Sequence, residues 1–293
     1  MIRLKNSRLM VEIPCPGEGV NCTTRFSRSA FISQVTLDGQ YQFCCPEPVR
    51  AYLPCSGGAG LCSEIKADSL SDEVAAGAYF PKFGVGLLKK PDEAPYSFRR
   101  RYECRPFDIK VEAAQTTAVF ETQPAPCQGY ALRDKRIVEL NDNTLTVFYE
   151  FENMGEKSMT LREYCHNFVT LEELPLGPDY YLEVAAAPQD GCVPQEPEGV
   201  IYGKGNGFTY RDYDEHPCSI FVKPEDIAEK DFYWRLTNRC SPCIISEQTS
   251  FQPSGILIWS VDFNISPECC YTFSIAPGEF VCYWRKWTFM DGK

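Results

Sequence analysis

His166 is one of only two histidines in the 293-residue chain, and it lies in the segment EYCHNF at residues 163–168. Imidazole has an ordinary pKa of about 6.5, so both of its protonation states are accessible near neutral pH. The residue falls near the end of a strand-like run and before a tight loop at 174–180, where an imidazole can reach the mouth of a sheet-lined cleft. The alternative is a buried histidine that is satisfied by the backbone.

Sixteen cysteines offer a second kind of chemistry. The segment CSPC at 240–243 has the spacing of a metal knuckle or a redox pair, but structural zinc needs four ligands and no second motif follows at the expected distance. Adjacent cysteines at 44–45 and at 269–270 cannot complete such a site, because neighbours along a strand point to opposite faces. We therefore expect no metal, a hairpin turn at 241–242, and thiols that mostly behave as small buried apolar groups.

Short strands separated by turn residues are the elements that would position these groups. A period-two alternation around Asp38-Gly39 in residues 30–45 predicts a hairpin. Residues 136–174 predict three strands with turns at 141–143 and 153–155, the last strand carrying His166. Three further strands are predicted in residues 255–289, with breaks at Ser266-Pro267 and Pro277-Gly278.

Helical and linker-like sequence is scarce. Residues 224–232 predict two helical turns that begin at Pro224, and residues 175–218 predict a loop-rich connection between strands. Because no linker tract interrupts the strand pattern, we expect one all-β domain over residues 1–293, built as an antiparallel sandwich of two packed sheets.

The charge balance excludes one class of partner. A formal net charge of −11 leaves no excess of cations to neutralise a phosphate backbone, so we expect no nucleic acid partner. The basic segment FRRRYECR at 98–105 is interpreted as solvated side chains with at most one internal ion pair. No apolar run reaches the length of a signal peptide or a membrane span, which predicts a cytoplasmic protein with no membrane partner.

Four segments, taken in order, resemble the galactose mutarotase-like (aldose 1-epimerase-like) superfamily. The run that ends in YCHNF resembles the family's paired strands, in which a histidine stands beside an amide and an aromatic residue. The other segments are GAGLCSEI at 58–65, YFPKFGVGLLKK at 79–90 and SPECCYTFSIAPGEFVCYWRKWTF at 266–289. The resemblance covers most of the chain and implies a large antiparallel sandwich of the supersandwich type.

The resemblance also implies an activity, the interconversion of the anomers of a sugar. A base takes the proton of the anomeric hydroxyl while an acid protonates the ring oxygen, and the two groups then exchange roles. By resemblance, Glu268 is the base and His166 is the acid, and no cofactor is needed. A carboxyl group suits such a task when burial raises its pKa.

A sugar site also needs aromatic platforms and hydrogen-bonding groups. The candidates for substrate contacts are Glu64, Lys82, Asn167, Tyr181, Trp234 and Trp259. Core packing is the alternative for the aromatic residues, and an exposed ion pair is the alternative for Glu64 and Lys82. The remaining histidine, His216, lies in an acidic loop and is interpreted as a surface residue.

Two departures from the family pattern bear on the substrate. The sugar mutarotases carry a second cleft histidine, but no histidine precedes His166 here, and Ser63-Glu64 stands where an Asn-Arg pair is expected. The hypotheses are an aldose 1-epimerase-like enzyme acting on an unidentified sugar, a non-catalytic carbohydrate-binding or sensing protein, and, third, a module related to polysaccharide lyases or hydrolases. The expected partner is a small-molecule carbohydrate, with a homodimer as a candidate assembly.

Overall fold

The computed structural model describes residues 1–48, 57–67, 70–185, 192–196, 200–211, 216–227 and 232–292. The regular elements of this part of the chain are antiparallel strands and one 3₁₀ turn at Pro224–Asp226. The strands are β1 Ile2–Lys5, β2 Leu9–Ile13, β3 Gln34–Leu37, β4 Tyr41–Gln42, β5 Gly60–Ala67, β6 Tyr79–Lys82, β7 Gly86–Lys89, β8 Cys104–Pro106, β9 Ile109–Ala113, β10 Thr117–Thr122, β11 Leu132–Asn141, β12 Thr144–Asn153, β13 Met159–Phe168, β14 Tyr180–Val184, β15 Cys192–Glu196, β16 Ile201–Lys204, β17 Gly207–Tyr210, β18 Cys218–Val222, β19 Tyr233–Asn238, β20 Cys243–Thr249, β21 Ile256–Val261, β22 Asn264–Ile275 and β23 Phe280–Asp291. No described helix has the length and apolar character needed to cross a membrane.

Two large sheets form the body of the described structure. The larger has ten strands in the order β16-β17-β14-β19-β20-β23-β12-β11-β10-β9, and the smaller has six in the order β15-β18-β21-β22-β13-β5. Strands β1 to β4 and strands β6 to β8 form two further small sheets. The two large sheets pack face to face, because side chains of β23 such as Arg285 and Trp287 bond to Glu163 and Asn167 of β13.

Alternation along the strands explains why these segments pack as a sandwich. In β12, the residues that face the six-stranded sheet are Leu145, Val147, Tyr149 and Phe151, all buried, and the residues between them are more exposed. A period of two places every second side chain on the same face, so one face of each sheet is apolar. This core holds the six-stranded sheet in place and leaves its other face free to carry polar side chains.

Several of the predicted elements are confirmed. Asp38 and Gly39 join β3 to β4 with φ angles of 51° and 68°, the left-handed conformation that a tight hairpin requires. The three strands predicted in residues 136–174 are β11, β12 and β13. Ser241 and Pro242 lie in the turn between β19 and β20, as expected, and His216 is exposed.

Three predictions need correction. The chain reverses at Asp262, where φ is 58°, and β22 continues through Ser266-Pro267 instead of breaking there. Residues 175–218 carry β14, β15, β16, β17 and the start of β18, because their strands are short and their turns rich in glycine and proline. The predicted helix is a single 3₁₀ turn within residues 224–227, and residues 228–231 lie outside the described part of the chain.

Proline is tolerated within β22 because the neighbouring ladder opens beside it. Strand β13 pairs with β22 only as far as Tyr164 opposite Cys270. Beyond that point the side chain of Asn167 donates a hydrogen bond of 2.6 Å to the carbonyl oxygen of Pro267. The amide side chain therefore satisfies the carbonyl oxygen of Pro267 where β13 offers no backbone partner, and the missing N–H of proline faces this gap in the ladder. His166 and Glu268 lie at this opening.

Candidate functional site

The outer face of the six-stranded sheet, the face turned away from the ten-stranded sheet, carries His166 and Glu268. The side chains of β13 and β22 alternate, so His166 and Glu268 share this face, whereas Glu163 and Asn167 point into the core. Nε2 of His166 lies 3.1 Å from Oε1 of Glu268. Oγ of Ser266 lies 2.8 Å from Nδ1 of the same imidazole. Both ring nitrogens of His166 are therefore occupied by neighbouring side chains of β22.

Aromatic rings enclose this pair. The ring of Phe168 stacks on His166 with centroids 3.7 Å apart, and the rings of Trp259 and Phe26 meet it edge-on at 5.3 Å and 6.0 Å. The exposed fractions of the His166 and Glu268 side chains are only 4% and 6%. The acid and the base that the resemblance implies therefore contact each other directly in this structure, with no sugar-sized space between them.

Burial shifts both protonation equilibria of this pair toward the neutral form. Desolvation lowers the pKa of His166 well below its ordinary value, and the nearby charge of Arg25 acts in the same direction. Desolvation raises the pKa of Glu268 to about 8, against the opposing charges of Arg25 and Lys66. At neutral pH these shifts give a protonated carboxyl beside a neutral imidazole. In these protonation states Glu268 would act as the acid and His166 as the base. The resemblance implies the reverse, with Glu268 as the base and His166 as the acid.

A buried ion cluster around Glu64 lies on the same outer face. Oε1 of Glu64 accepts a hydrogen bond of 2.7 Å from Nζ of Lys82, and Oε2 accepts one of 2.9 Å from Arg25. The hydroxyl of Tyr164 also donates to Glu64. Burial acts to raise the pKa of Glu64, but the charges of Lys82 and Arg25 outweigh it and hold the carboxylate ionised. Glu64 and Lys82 therefore form an internal ion pair, in place of the exposed pair considered from the sequence.

A cavity of about 400 Å³, the Lys66 pocket, opens beside this cluster. Its polar border is formed by Glu64, Lys66, Lys82 and Arg162. Its aromatic border is formed by Phe80, Phe83, Tyr96 and Phe98. The volume lies within the range of about 300–1,000 Å³ that is typical of small-molecule sites. Two of the six predicted substrate contacts, Glu64 and Lys82, border this pocket, whereas His166 and Glu268 are not part of its lining.

The other predicted substrate contacts lie elsewhere, and two of them are corrected to core positions. Asn167 and Trp234 are fully buried between the two large sheets, where both donate hydrogen bonds to Oε2 of Glu247. Their strand positions point them away from the Lys66 pocket. Trp259 packs against His166, and Tyr181 hydrogen-bonds Asn206 near the edge of the ten-stranded sheet.

Some residues of this face were missed from the sequence although its pattern contains them. Tyr164 and Ser266 stand two residues from His166 and Glu268, so strand alternation places them on the same face. Lys66 follows Glu64 at the same spacing on β5. Arg25 and Phe26 carry no such signal, because they reach the site from an irregular segment that precedes β3.

Comparison with solved structures supports the fold assignment. The galactose mutarotase related enzyme of Lactobacillus acidophilus matches with a TM-score of 0.63 and 11% identity, over 100% of this chain and 98% of that chain. The galactose mutarotase-like protein of Lactobacillus casei gives 0.62 and 14%, over 99% and 100% of the two chains. The GalM/aldose epimerase homologue of C. elegans gives 0.57 and 13%, over 100% and 99%.

By sequence, no family model and no curated protein matches the chain. The structural matches nevertheless extend over nearly the whole chain and therefore establish its fold. Their sequence identities are too low to establish more than the fold. The predicted antiparallel β-sandwich of the galactose mutarotase-like type is therefore confirmed.

Proposed function

We propose that the protein binds a carbohydrate in the Lys66 pocket. One observation carries the proposal: the pocket combines aromatic walls with hydrogen-bonding charged groups on the polar face of a galactose mutarotase-like sandwich. Aromatic faces suit the apolar face of a pyranose, and the cations at the border suit its hydroxyls. Lys66, Lys82 and Arg162 stand on strands, and Tyr96 is held in the loop after β7 by hydrogen bonds to Ser71 and Thr24, so these parts of the pocket are held in shape before a ligand arrives.

The walls of the pocket are anchored by the buried ion cluster. Lys82 lies 4.9 Å from the ring centroid of Tyr96, and Arg25 lies 4.1 Å from the ring centroid of Phe98. Both cations are fixed through Glu64, as described above. A site whose supporting groups are already ordered loses less conformational entropy when a ligand binds.

A second candidate function is aldose 1-epimerase activity, which the contact between His166 and Glu268 favours. At neutral pH, Glu268 holds a proton that a ring oxygen could receive, and neutral His166 can accept the proton of an anomeric hydroxyl. Because the 3.1 Å contact leaves no room for a hexose between them, turnover requires the two side chains to separate. Binding without turnover needs no such movement, so the geometry supports it better.

Calorimetric titration with a panel of aldoses tests the binding proposal. Phe98→Ala removes one wall of the pocket and is expected to weaken binding several-fold. Phe280→Ala is the matched control, because Phe280 is 68% exposed on β23, outside the pocket lining. Equal affinities for both variants and the unmodified protein would place the sugar elsewhere, and the absence of binding by any aldose or aldose derivative would remove the proposal.

Exchange NMR on the same sugars separates the two functions. Epimerase activity predicts anomer exchange above the uncatalysed rate that is lost in both His166→Ala and Glu268→Ala. Binding accompanied by uncatalysed exchange would identify a carbohydrate-binding or sensing protein and exclude the enzyme hypothesis for those sugars.

A further inference from the structure

Two cations face each other across neighbouring strands at the border of the Lys66 pocket. Lys66 of β5 stands directly opposite Arg162 of β13 in the ladder, and both line the cavity. Like charges in directly opposed positions destabilise a sheet. The arrangement therefore carries a cost in the unliganded protein, which a bound anion would remove.

Neither cation is paired with a carboxylate in the described part of the chain. Within the described ranges, Lys66 and Arg162 form no ion pair and no hydrogen bond through their side chains, and the charged end of Lys66 only approaches the ring of Tyr164, at 5.1 Å. Lys82 and Arg25, on the same face, share the carboxylate of Glu64. Lys82 and Arg25 are therefore structural cations, whereas Lys66 and Arg162 are available to a ligand.

The other charged groups of the pocket do not cancel this pair. Glu64 is already bound by two cations, and the remaining carboxylate of the lining, Asp72, is exposed and accepts a hydrogen bond of 3.2 Å from Ser71. On its other side Arg162 faces the neutral Thr272 of β22. A local positive surface is notable in a chain with 40 acidic and 29 basic residues.

We infer that the Lys66 pocket takes a carbohydrate bearing an anionic group, a carboxylate or a phosphate, which Lys66 and Arg162 bind while the sugar lies along the aromatic border of the pocket. Guanidinium and ammonium groups form strong charge-assisted hydrogen bonds with both kinds of anion. The inference rests on the proposed function, because it names the class of sugar that the same pocket would hold.

Isothermal titration calorimetry tests the inference with galacturonate, glucose 6-phosphate, galactose, glucose and inorganic phosphate as probes. The variants are Lys66→Met and Arg162→Met. Lys110→Met is the matched control, since Lys110 is an exposed cation on β9 at the edge of the ten-stranded sheet. We expect at least one of the two charged sugars to bind more tightly than the neutral hexoses, with added salt weakening its binding.

Each pocket variant should reduce the affinity for that charged sugar by at least about tenfold, whereas Lys110→Met should leave it unchanged. Equal affinity for neutral and charged sugars, with no loss in the pocket variants, would overturn the inference and leave the proposed function standing. Binding of inorganic phosphate without binding of any sugar would overturn both. Galacturonate and glucose 6-phosphate distinguish a carboxylate site from a phosphate site.

Discussion

Nε2 of His166 lies 3.1 Å from Oε1 of Glu268, within an enclosure of aromatic rings on the outer face of the six-stranded sheet. Burial disfavours the charged form of each group, so the pair is neutral at neutral pH and neither side chain provides a net charge to the site. This relationship makes two contributions of opposite sign to the pH dependence of stability.

The contribution of Glu268 to the free energy of unfolding should fall as pH rises from about 4.5 to about 8. In the unfolded chain Glu268 ionises near the ordinary glutamate pKa of 4.5, whereas in the folded protein its pKa is raised to about 8. At this group the folded state therefore binds more protons in this interval, and the contribution of Glu268 to stability decreases with rising pH, by on the order of a few kcal/mol. Urea denaturation of the unmodified protein and of Glu268→Gln at pH 5, 6.5 and 8 measures the effect.

Glu268→Gln should remove this decline, so the stability of the variant relative to the unmodified protein should increase from pH 5 to pH 8. Glu139→Gln on β11 is the matched control for loss of one exposed carboxylate. A difference between Glu268→Gln and the unmodified protein that stays constant with pH would show that Glu268 ionises normally in the fold.

The imidazole of His166 should lower the stability of the fold at acid pH. The pKa of His166 is lowered by burial, so in the folded state the ring stays neutral at pH values where the unfolded chain binds a proton. Stability from this source is present above about pH 6.5 and is lost as pH falls below it. The stability of His166→Gln relative to the unmodified protein should therefore increase from pH 7 to pH 5 in urea denaturation, and a difference that stays constant with pH would contradict the burial of a neutral imidazole.

Glu64→Gln should destabilise the fold by about 3–5 kcal/mol, because it leaves the buried charges of Arg25 and Lys82 without their shared carboxylate. Guanidinium denaturation gives the change. Glu103→Gln is the control, since Glu103 forms an exposed ion pair with Lys89 and should give little change. Similar losses in the two variants would mean that the cluster is solvated.

The reactivity of the cysteine thiols toward iodoacetamide in the native protein should depend on their burial. Cys22, Cys240 and Cys282 are exposed and should be labelled. Cys62 and Cys165 are buried, and desolvation raises the pKa of each thiol well above its usual value, so they should react only after unfolding. Peptide mass spectrometry reads each site. Labelling of Cys165 at the rate of Cys240 in the folded protein would contradict the packing of β13.

The strands that carry the site could be predicted from the sequence, because apolar and polar residues alternate regularly along them and turn residues separate them. The same alternation explains one failure: Asn167 adjoins His166 and was assigned to the sugar site, yet adjacent strand positions face opposite sides, which places it in the core. A buried His166 was the alternative considered from the sequence, but its contact with Phe26 could not be predicted, since Phe26 is 140 positions distant in the chain and approaches through an irregular segment.

The pocket likewise depends on contacts without a local signal. Lys66 and Arg162 are ordinary surface residues when each strand is considered alone, and only the register of β5 against β13 places them opposite each other. Pairing between strands about 100 positions apart is set by the packing of the whole sheet. Such a cationic site emerges only once the fold is known.

Backbone amide NMR during titration with galacturonate, glucose 6-phosphate and neutral aldoses tests most directly whether the Lys66 pocket binds a carbohydrate. The account predicts saturable shift changes for at least one of these sugars, concentrated at Lys66, Tyr96, Phe98 and Arg162. The groove on the outer face of the ten-stranded sheet, lined by Phe148 and Trp284, should show no change. Shifts confined to that groove, or no shifts with any of the sugars, would contradict the account.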